Sequence, residues 1–218
     1  MQDGMIQPVI PDYAALEAAT VSTEPFAHAV VPDFIRADDL RALAASLPVI
    51  RSGGSFPPQA LGLTPLMAQL VDELQQPRLR GIIATKFGLD LDDAPTMLTL
   101  RGRTRAKDGR IHRDSACKRV TVLLYLNAAD NVAWSRHEGC LRLLRNGHDL
   151  EDFAAEIAPV NGTLVIFPNG PDTWHGHRQY VGPRHTIQLN YMANDASARN
   201  ELRRHRLSAL TKRLPWVA

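Results

Sequence analysis

Three side chains set the chemistry open to this chain. His112 and Asp114 are two residues apart in Gly109-Arg110-Ile111-His112-Arg113-Asp114, and His175 lies downstream. Alternate residues of an extended segment point to the same face, so His112 and Asp114 reach toward one point. A third ligand must come from another strand, and His175 stands at the start of one. Two imidazoles and one carboxylate on one face of an octahedral ion leave the opposite face open, the arrangement of non-haem Fe(II) centres that activate dioxygen. His177 shares the face of His175, and His137, His148 and His185 are further imidazoles; His175 is preferred as the distal ligand. His-Arg-Asp also occurs in protein-kinase catalytic loops. That reading fails, because Arg119 stands where the kinase pattern needs Asn, and no glycine-rich loop or Asp-Phe-Gly accompanies it.

A second constellation follows the distal histidine. Arg184, Thr186, Gln188 and Asn190 alternate with His185, Ile187, Leu189 and Tyr191. The polar set is either a solvent face or an inward one. If inward, the Arg184 guanidinium fork and the Thr186 hydroxyl can hold a carboxylate in a dry interior. Tyr125 closes the apolar run Val120-Thr121-Val122-Leu123-Leu124-Tyr125-Leu126, where a buried phenol needs a partner, either that carboxylate or a backbone group.

The elements that must position these groups are legible in outline. With 218 residues, 44% hydrophobic and 22% charged, the chain can bury one sizeable core. A net charge of +2 gives no support to nucleic-acid binding. No apolar run is long enough to span a membrane. Met1-Gln2-Asp3-Gly4 lacks the basic and apolar regions of a secretory leader. Cys117 and Cys140 are expected as reduced thiols, and the expected location is cytoplasmic. Residues 1–24 read as an extended arm with one short helix, 26–31 as a strand and 38–47 as a helix. Gly53, Gly54, Pro57, Pro58 and Gly62 make 49–64 a long loop, a candidate binding loop or lid. Helices are expected near 65–75 and 78–88, with Gly88 as a stop.

From residue 95 the pattern changes to short strands: 97–100, 110–114, 120–126, 141–144, 163–167, 174–181 and 184–192. Gly/Pro turns between them, such as Pro168-Asn169-Gly170-Pro171, argue for an antiparallel sandwich or barrel. Trp134 and His137 in the loop 128–138, together with Trp174 and His177, are candidate substrate contacts; rim packing is the plainer role for the tryptophans. Residues 195–213 are helical and basic, with Arg199, Arg203, Arg204, His205, Arg206, Lys212 and Arg213. Leu202, Leu207, Leu210 and Leu214 form a stripe that can dock on the sheets. Its outer face is expected to be solvated rather than bound to an anionic partner.

Several segments resemble a known family in order and spacing. Gly109–Asp114 resembles its first ligand strand, and Thr121-Val122-Leu123-Leu124-Tyr125-Leu126-Asn127 its "YLN" strand. Gly139-Cys140-Leu141-Arg142-Leu143 resembles its Gly-Gly-x-Leu segment. Gly162-Thr163-Leu164-Val165-Ile166-Phe167 and Trp174-His175-Gly176-His177 resemble the approach to the distal ligand, and Gly182-Pro183-Arg184-His185-Thr186 its Gly-x-Arg. The family is the prolyl-4-hydroxylase-type 2-oxoglutarate and Fe(II)-dependent dioxygenases, resembled well over roughly 95–193. Two departures stand out: Cys140 replaces the second glycine, and Arg101-Gly102 occupies a position where many relatives have tyrosine. Asp114 is kept, unlike in halogenating relatives.

The resemblance implies an α+β, mainly β fold: a double-stranded β-helix, or jelly-roll/cupin-like barrel, braced by N-terminal helices, with a C-terminal helix. One domain, 1–218, would comprise a helical support region (1–94), the core (95–193) and a basic helix (194–218). Iron would be held by His112, Asp114 and His175, and the far carboxylate of 2-oxoglutarate by Arg184, Thr186 and Tyr125. The cofactors would be Fe(II), 2-oxoglutarate and O2, with ascorbate an optional addition. The reaction would hydroxylate a prolyl residue of a protein, an amino acid or another small molecule, releasing succinate and CO2. Competing readings are a cupin-like metal enzyme of non-oxidative chemistry and a non-catalytic 2-oxoglutarate- or metal-binding module. Partners would be a small-molecule or peptide substrate, with no nucleic acid; the oligomeric state stays open.

Overall fold

A computed structural model describes residues 7–212. The strand Gly182–Met192 (β8) is central, because strands cover it on both edges. It pairs antiparallel with Thr96–Thr104 (β2) and with Lys118–Tyr125 (β3). β3 pairs in turn with Leu164–Pro168 (β6), and β6 with the short Ala29–Val31 (β1), completing a five-stranded sheet in the order β1-β6-β3-β8-β2. A second sheet runs Phe153–Ile157 (β5), Leu141–Leu144 (β4), His175–Gly176 (β7). Among the described residues the strands form these two sheets and no closed barrel, so the fold is mainly antiparallel β with a few helices.

Both faces of the larger sheet are covered, which is why β3 reads as an almost unbroken apolar run. Val120, Val122 and Leu124 face one way, with Leu98, Leu100, Leu164, Ile166, Ile187 and Leu189. That face packs against the helices Tyr13–Ala18 (α1), Ala37–Ala44 (α2), Pro65–Glu73 (α3) and Pro77–Phe87 (α4), which contribute Leu16, Leu43, Met67, Leu70, Leu79 and Ile83. Each such side chain contributes roughly 1.5–3 kcal/mol on burial. Thr64 caps α3 by accepting from the Met67 amide at 3.3 Å, and α4 stops at Gly88 in the left-handed conformation, φ 63°. On the other face Tyr125, Val165 and Phe167 meet Leu141, Leu143 and Ile157 of the smaller sheet. The polar residues of β3 and β8 lie between the sheets.

Several elements depart from expectation. Residues 110–114 form no strand: His112 makes a single antiparallel bridge to His175, following a turn that ends at Gly109 with φ 84°. The strand expected over 174–181 contracts to His175–Gly176, and the first strand to Ala29–Val31. β5 went unread because Phe153-Ala154-Ala155-Glu156-Ile157 is mostly weak strand formers, only half-buried at an edge. Within 128–138 lies a short helix, Val132–Ser135 (α5), capped by Asn131. The loop 49–64 is tied to β2: Phe56 and Leu100 exchange both backbone hydrogen bonds, at 2.9 and 2.8 Å. The C-terminal helix, Ala196–Lys212 (α6), forms as expected; Arg213 and Leu214 lie outside the described residues, as do residues 1–6 and the side chains of 205–212. Cys117 and Cys140 are both free thiols. No helix among the described residues is long and apolar enough to cross a membrane.

Gly162, which leads into β6, has φ 65°, and a Cβ there would lie 2.5 Å from the Ile35 carbonyl oxygen. Both the backbone conformation and the space exclude a side chain. Gly162→Ala is therefore expected to destabilise the fold by about 1–3 kcal/mol, read as a lowered urea midpoint at unchanged m-value.

Candidate metal and co-substrate site

Two glycines allow the site to assemble. A Cβ on Gly109 would strike the His177 ring at 2.2 Å, and one on Gly176 would lie 2.9 Å from the Gly109 carbonyl oxygen. Without them the 109–112 segment packs directly on β7, where the His177 amide donates to the Gly109 carbonyl at 2.9 Å. His112 and His175 then exchange backbone hydrogen bonds at 2.9 and 3.0 Å. Directly paired residues share a face, and their rings lie with centroids 4.3 Å apart.

The same backbone fixes which ring nitrogen is free. His112 Nδ1 lies 2.8 Å from the Arg110 carbonyl oxygen, and His175 Nδ1 lies 3.0 Å from that of Thr173. A carbonyl only accepts, so each Nδ1 carries the proton and each Nε2 keeps its lone pair. One ligand atom from each of His112, Asp114 and His175 falls within 4.8 Å of the others, the one such group among the described residues. Burial, then the neighbouring His112, pushes His175 down to about 4, so at neutral pH it has the neutral form a metal needs.

Asp114 is held at both oxygens. Lys118 Nζ donates to Oδ1 at 2.8 Å, and Thr121 Oγ1 to Oδ2 at 2.5 Å. The Thr121 hydroxyl accepts in turn from Asn169 Nδ2 at 2.9 Å. Burial alone would raise the Asp114 carboxyl; the Lys118 charge, His175 and these hydrogen bonds outweigh it and keep it below the usual carboxylate range.

The polar side of β8 is an interior face. Arg184 is 7%, Thr186 3%, Gln188 7% and Asn190 1% exposed. Arg184 Nε donates to the Gly139 carbonyl at 3.0 Å, and its guanidinium carbon lies 5.1 Å from the centre of the Tyr125 ring. Tyr125 pairs with Thr186 across β3 and β8. The Tyr125 hydroxyl and Thr186 Oγ1 are both buried without a hydrogen-bond partner. Leaving such groups unpaired costs about 1–3 kcal/mol each, and two donors beside a guanidinium suit an anionic acceptor. They line the same cavity as His112, Asp114 and His175. The residues present therefore fit both a divalent metal with two nitrogen ligands and one oxygen ligand, and a carboxylate.

Other sequence-derived candidates separate. His177 is buried, lines this cavity and bonds through Nδ1 to the Arg178 carbonyl at 2.8 Å. Trp174 lines a neighbouring cavity that also reaches Asp114 and Asn169, and Arg113 stacks on its ring at 4.6 Å. Trp134 packs away from both, with Cys140 and Tyr180, its Nε1 donating to the Ala128 carbonyl at 3.1 Å. His137 is turned outward and pairs with Glu156. Neither lines the cavities at the triad. Sequence reasoning missed Lys118, Thr121 and Asn169; the alternation placing Thr121 on the face of Tyr125 was the available signal.

Residues 103–192 match the model of the 2OG-Fe(II) oxygenase superfamily. The segment belongs to that superfamily. Its domain is that of a 2-oxoglutarate-dependent dioxygenase, whose cofactors are Fe(II) and 2-oxoglutarate, with O2 implied. Among curated protein sequences nothing matches the chain. Solved structures of similar fold include a prolyl-4-hydroxylase of Pseudomonas putida, with TM-score 0.54 and 21% identity over 87% of this chain and 97% of that one. A Phytophthora capsici prolyl 4-hydroxylase has TM-score 0.58 and 15% identity over 96% of this chain and 78% of that one. The viral collagen prolyl hydroxylase of Paramecium bursaria chlorella virus-1, in a 2-oxoglutarate complex, has TM-score 0.51 and 15% identity over 77% and 96%. The fold is prolyl-4-hydroxylase-like.

The hydrogen bond from Thr121 orients the Asp114 carboxylate, one of the three groups that could hold a metal. Thr121→Val keeps the volume and removes the hydroxyl. It is expected to weaken metal affinity about 10–100-fold, measured by competition with a chromophoric chelator.

Proposed function

We propose that the chain hydroxylates an unactivated C–H bond of a prolyl residue in a protein, an amino acid or another small molecule, releasing succinate and CO2. The observation that carries this is the pair of partnerless hydroxyls, Tyr125 and Thr186, beside a buried guanidinium in the cavity where three ligand atoms converge. In this reading the two sheets are the halves of a double-stranded β-helix of jelly-roll type. The chain is one domain, with 1–94 as helical support, 95–193 as core and 194–218 as a C-terminal helix.

His112, Asp114 and His175 would hold the iron. When bound, Fe(II) with 2-oxoglutarate supplies the coupling of O2 reduction and oxidative decarboxylation to C–H hydroxylation. The chain's own work is positional. The two Nδ1–H bonds to backbone aim both Nε2 lone pairs at one point, and Lys118 and Thr121 lock the carboxylate rotamer. Arg184, Thr186 and Tyr125 would bind the far carboxylate, so that the reacting end of the diacid lies at the triad. Burial of these groups keeps water off the carboxylate and strengthens its contacts. The cavity at Trp174, Arg113 and Asn169 approaches Asp114 from another direction and is the proposed route for substrate.

Protein reconstituted with Fe(II) is expected to convert 2-oxoglutarate to succinate with matching O2 consumption, faster when a true substrate is present, and to lose this with Zn(II). Asp114→Ala should abolish succinate formation. Arg184→Ala should raise the KM for 2-oxoglutarate about tenfold or more, because a charge-assisted contact is lost. Full succinate formation by Asp114→Ala or by His175→Ala would refute the ligand assignment.

A further inference from the structure

Four buried side-chain polar atoms among the described residues have no hydrogen-bond partner, and three of them share one row of the sheet. Arg101 on β2 pairs with Thr186 on β8, and Thr186 pairs with Tyr125 on β3. Residues paired in this way project from the same face. Arg101 Nε, Thr186 Oγ1 and Tyr125 Oη are the three atoms. Arg101 lines the cavity with them and with Arg184. Its acidic neighbours are already engaged: Asp108 by Arg105 at 3.0 Å, and Asp114 by Lys118 and Thr121. Arg101 makes no ion pair among the described residues. Burial and the like charge of Arg184 both work against its ionisation. Two guanidiniums in one water-poor cavity are tolerable when an anion lies between them.

We propose that Arg101 is a second guanidinium anchor for the far carboxylate of 2-oxoglutarate, acting with Arg184, Thr186 and Tyr125; this rests on the co-substrate reading above. The register decides which end of the diacid it serves. Thr121, which bonds Asp114, pairs with Asn190, whereas Arg101 belongs to the row of Thr186 and Tyr125. Those rows are four residues apart along β3, roughly 13 Å at strand rise. Arg101 thus stands with the distal anchor. A cavity closed by two cations discriminates sharply against 2-oxo acids that lack a second carboxylate.

The test is calorimetric titration of 2-oxoglutarate and of 2-oxovalerate, which has a methyl group in place of the far carboxylate, into Ni(II)-loaded protein without O2. R101A is expected to weaken 2-oxoglutarate binding about 10- to 100-fold and to leave 2-oxovalerate binding within about twofold, as expected when only the distal contact is lost. Equal weakening of both ligands, or of neither, overturns the assignment. R101Q, close in length and polarity, carries the same expectations if R101A does not fold. R184A is the control for the parent reading: if it leaves 2-oxoglutarate binding unchanged, the co-substrate site itself is wrong, whereas a loss in R184A without one in R101A rejects only the role of Arg101.

Discussion

The pair of backbone hydrogen bonds between His112 and His175 is the constraint on which the site depends. The two residues come from segments far apart in the chain, one an irregular stretch after a turn and the other a two-residue strand. The first segment has no ladder of its own, and the second has only its two-residue pairing with β4. The reciprocal bonds fix both at once, and the carbonyls of Arg110 and Thr173 then set each ring's tautomer. The convergence of the candidate ligand atoms is thereby built into the main chain. It also explains the tight glycine requirement at 109 and 176, where side chains would separate the two segments before they could pair.

The larger sheet divides its labour by parity. Val120, Val122 and Leu124 of β3 and Ile187, Leu189 and Tyr191 of β8 bind the helices to the sheet; Thr121 and Tyr125 of β3 and Arg184, Thr186, Gln188 and Asn190 of β8 build the polar interior. The helices contribute nothing to the triad directly. Their role is to make one face dry and rigid, so that the residues on the other face keep their rows. A one-residue slip of β8 against β3 would put Arg184 into the hydrophobic layer and Ile187 into the cavity, a penalty that fixes the register.

Much of this was readable in the chain. The alternation along 184–191 and the apolar run at 120–126 were legible because strand periodicity decides their faces, whereas His112 and Asp114 converge with His175 although 110–114 forms no strand, through the single bridge from His112 to His175. What could not be read was whether the polar face of β8 looked inward, since periodicity separates two faces without saying which one is wet. Strand 153–157 was missed because pairing to β4, rather than its own composition, makes it extended. Trp134 and His137 sat in a loop that looked free to reach the site, yet the turn of helix at 132–135, capped by Asn131, carries them elsewhere. Arg101 registered only as a missing tyrosine; its position opposite Thr186 depends on a pairing between strands more than eighty residues apart.

The docking of Phe56 on Leu100 has a consequence beyond the site. An outermost strand of nine residues offers a template on which another chain's strand could polymerise. Here Phe56 occupies the middle of that rim, and an irregularity in pairing follows between Arg101 and Arg103. At the opposite rim the strand is only three residues long. Interrupting one border and truncating the other hinders fibril-like association, and Arg101 and Arg103 add charge to the longer rim.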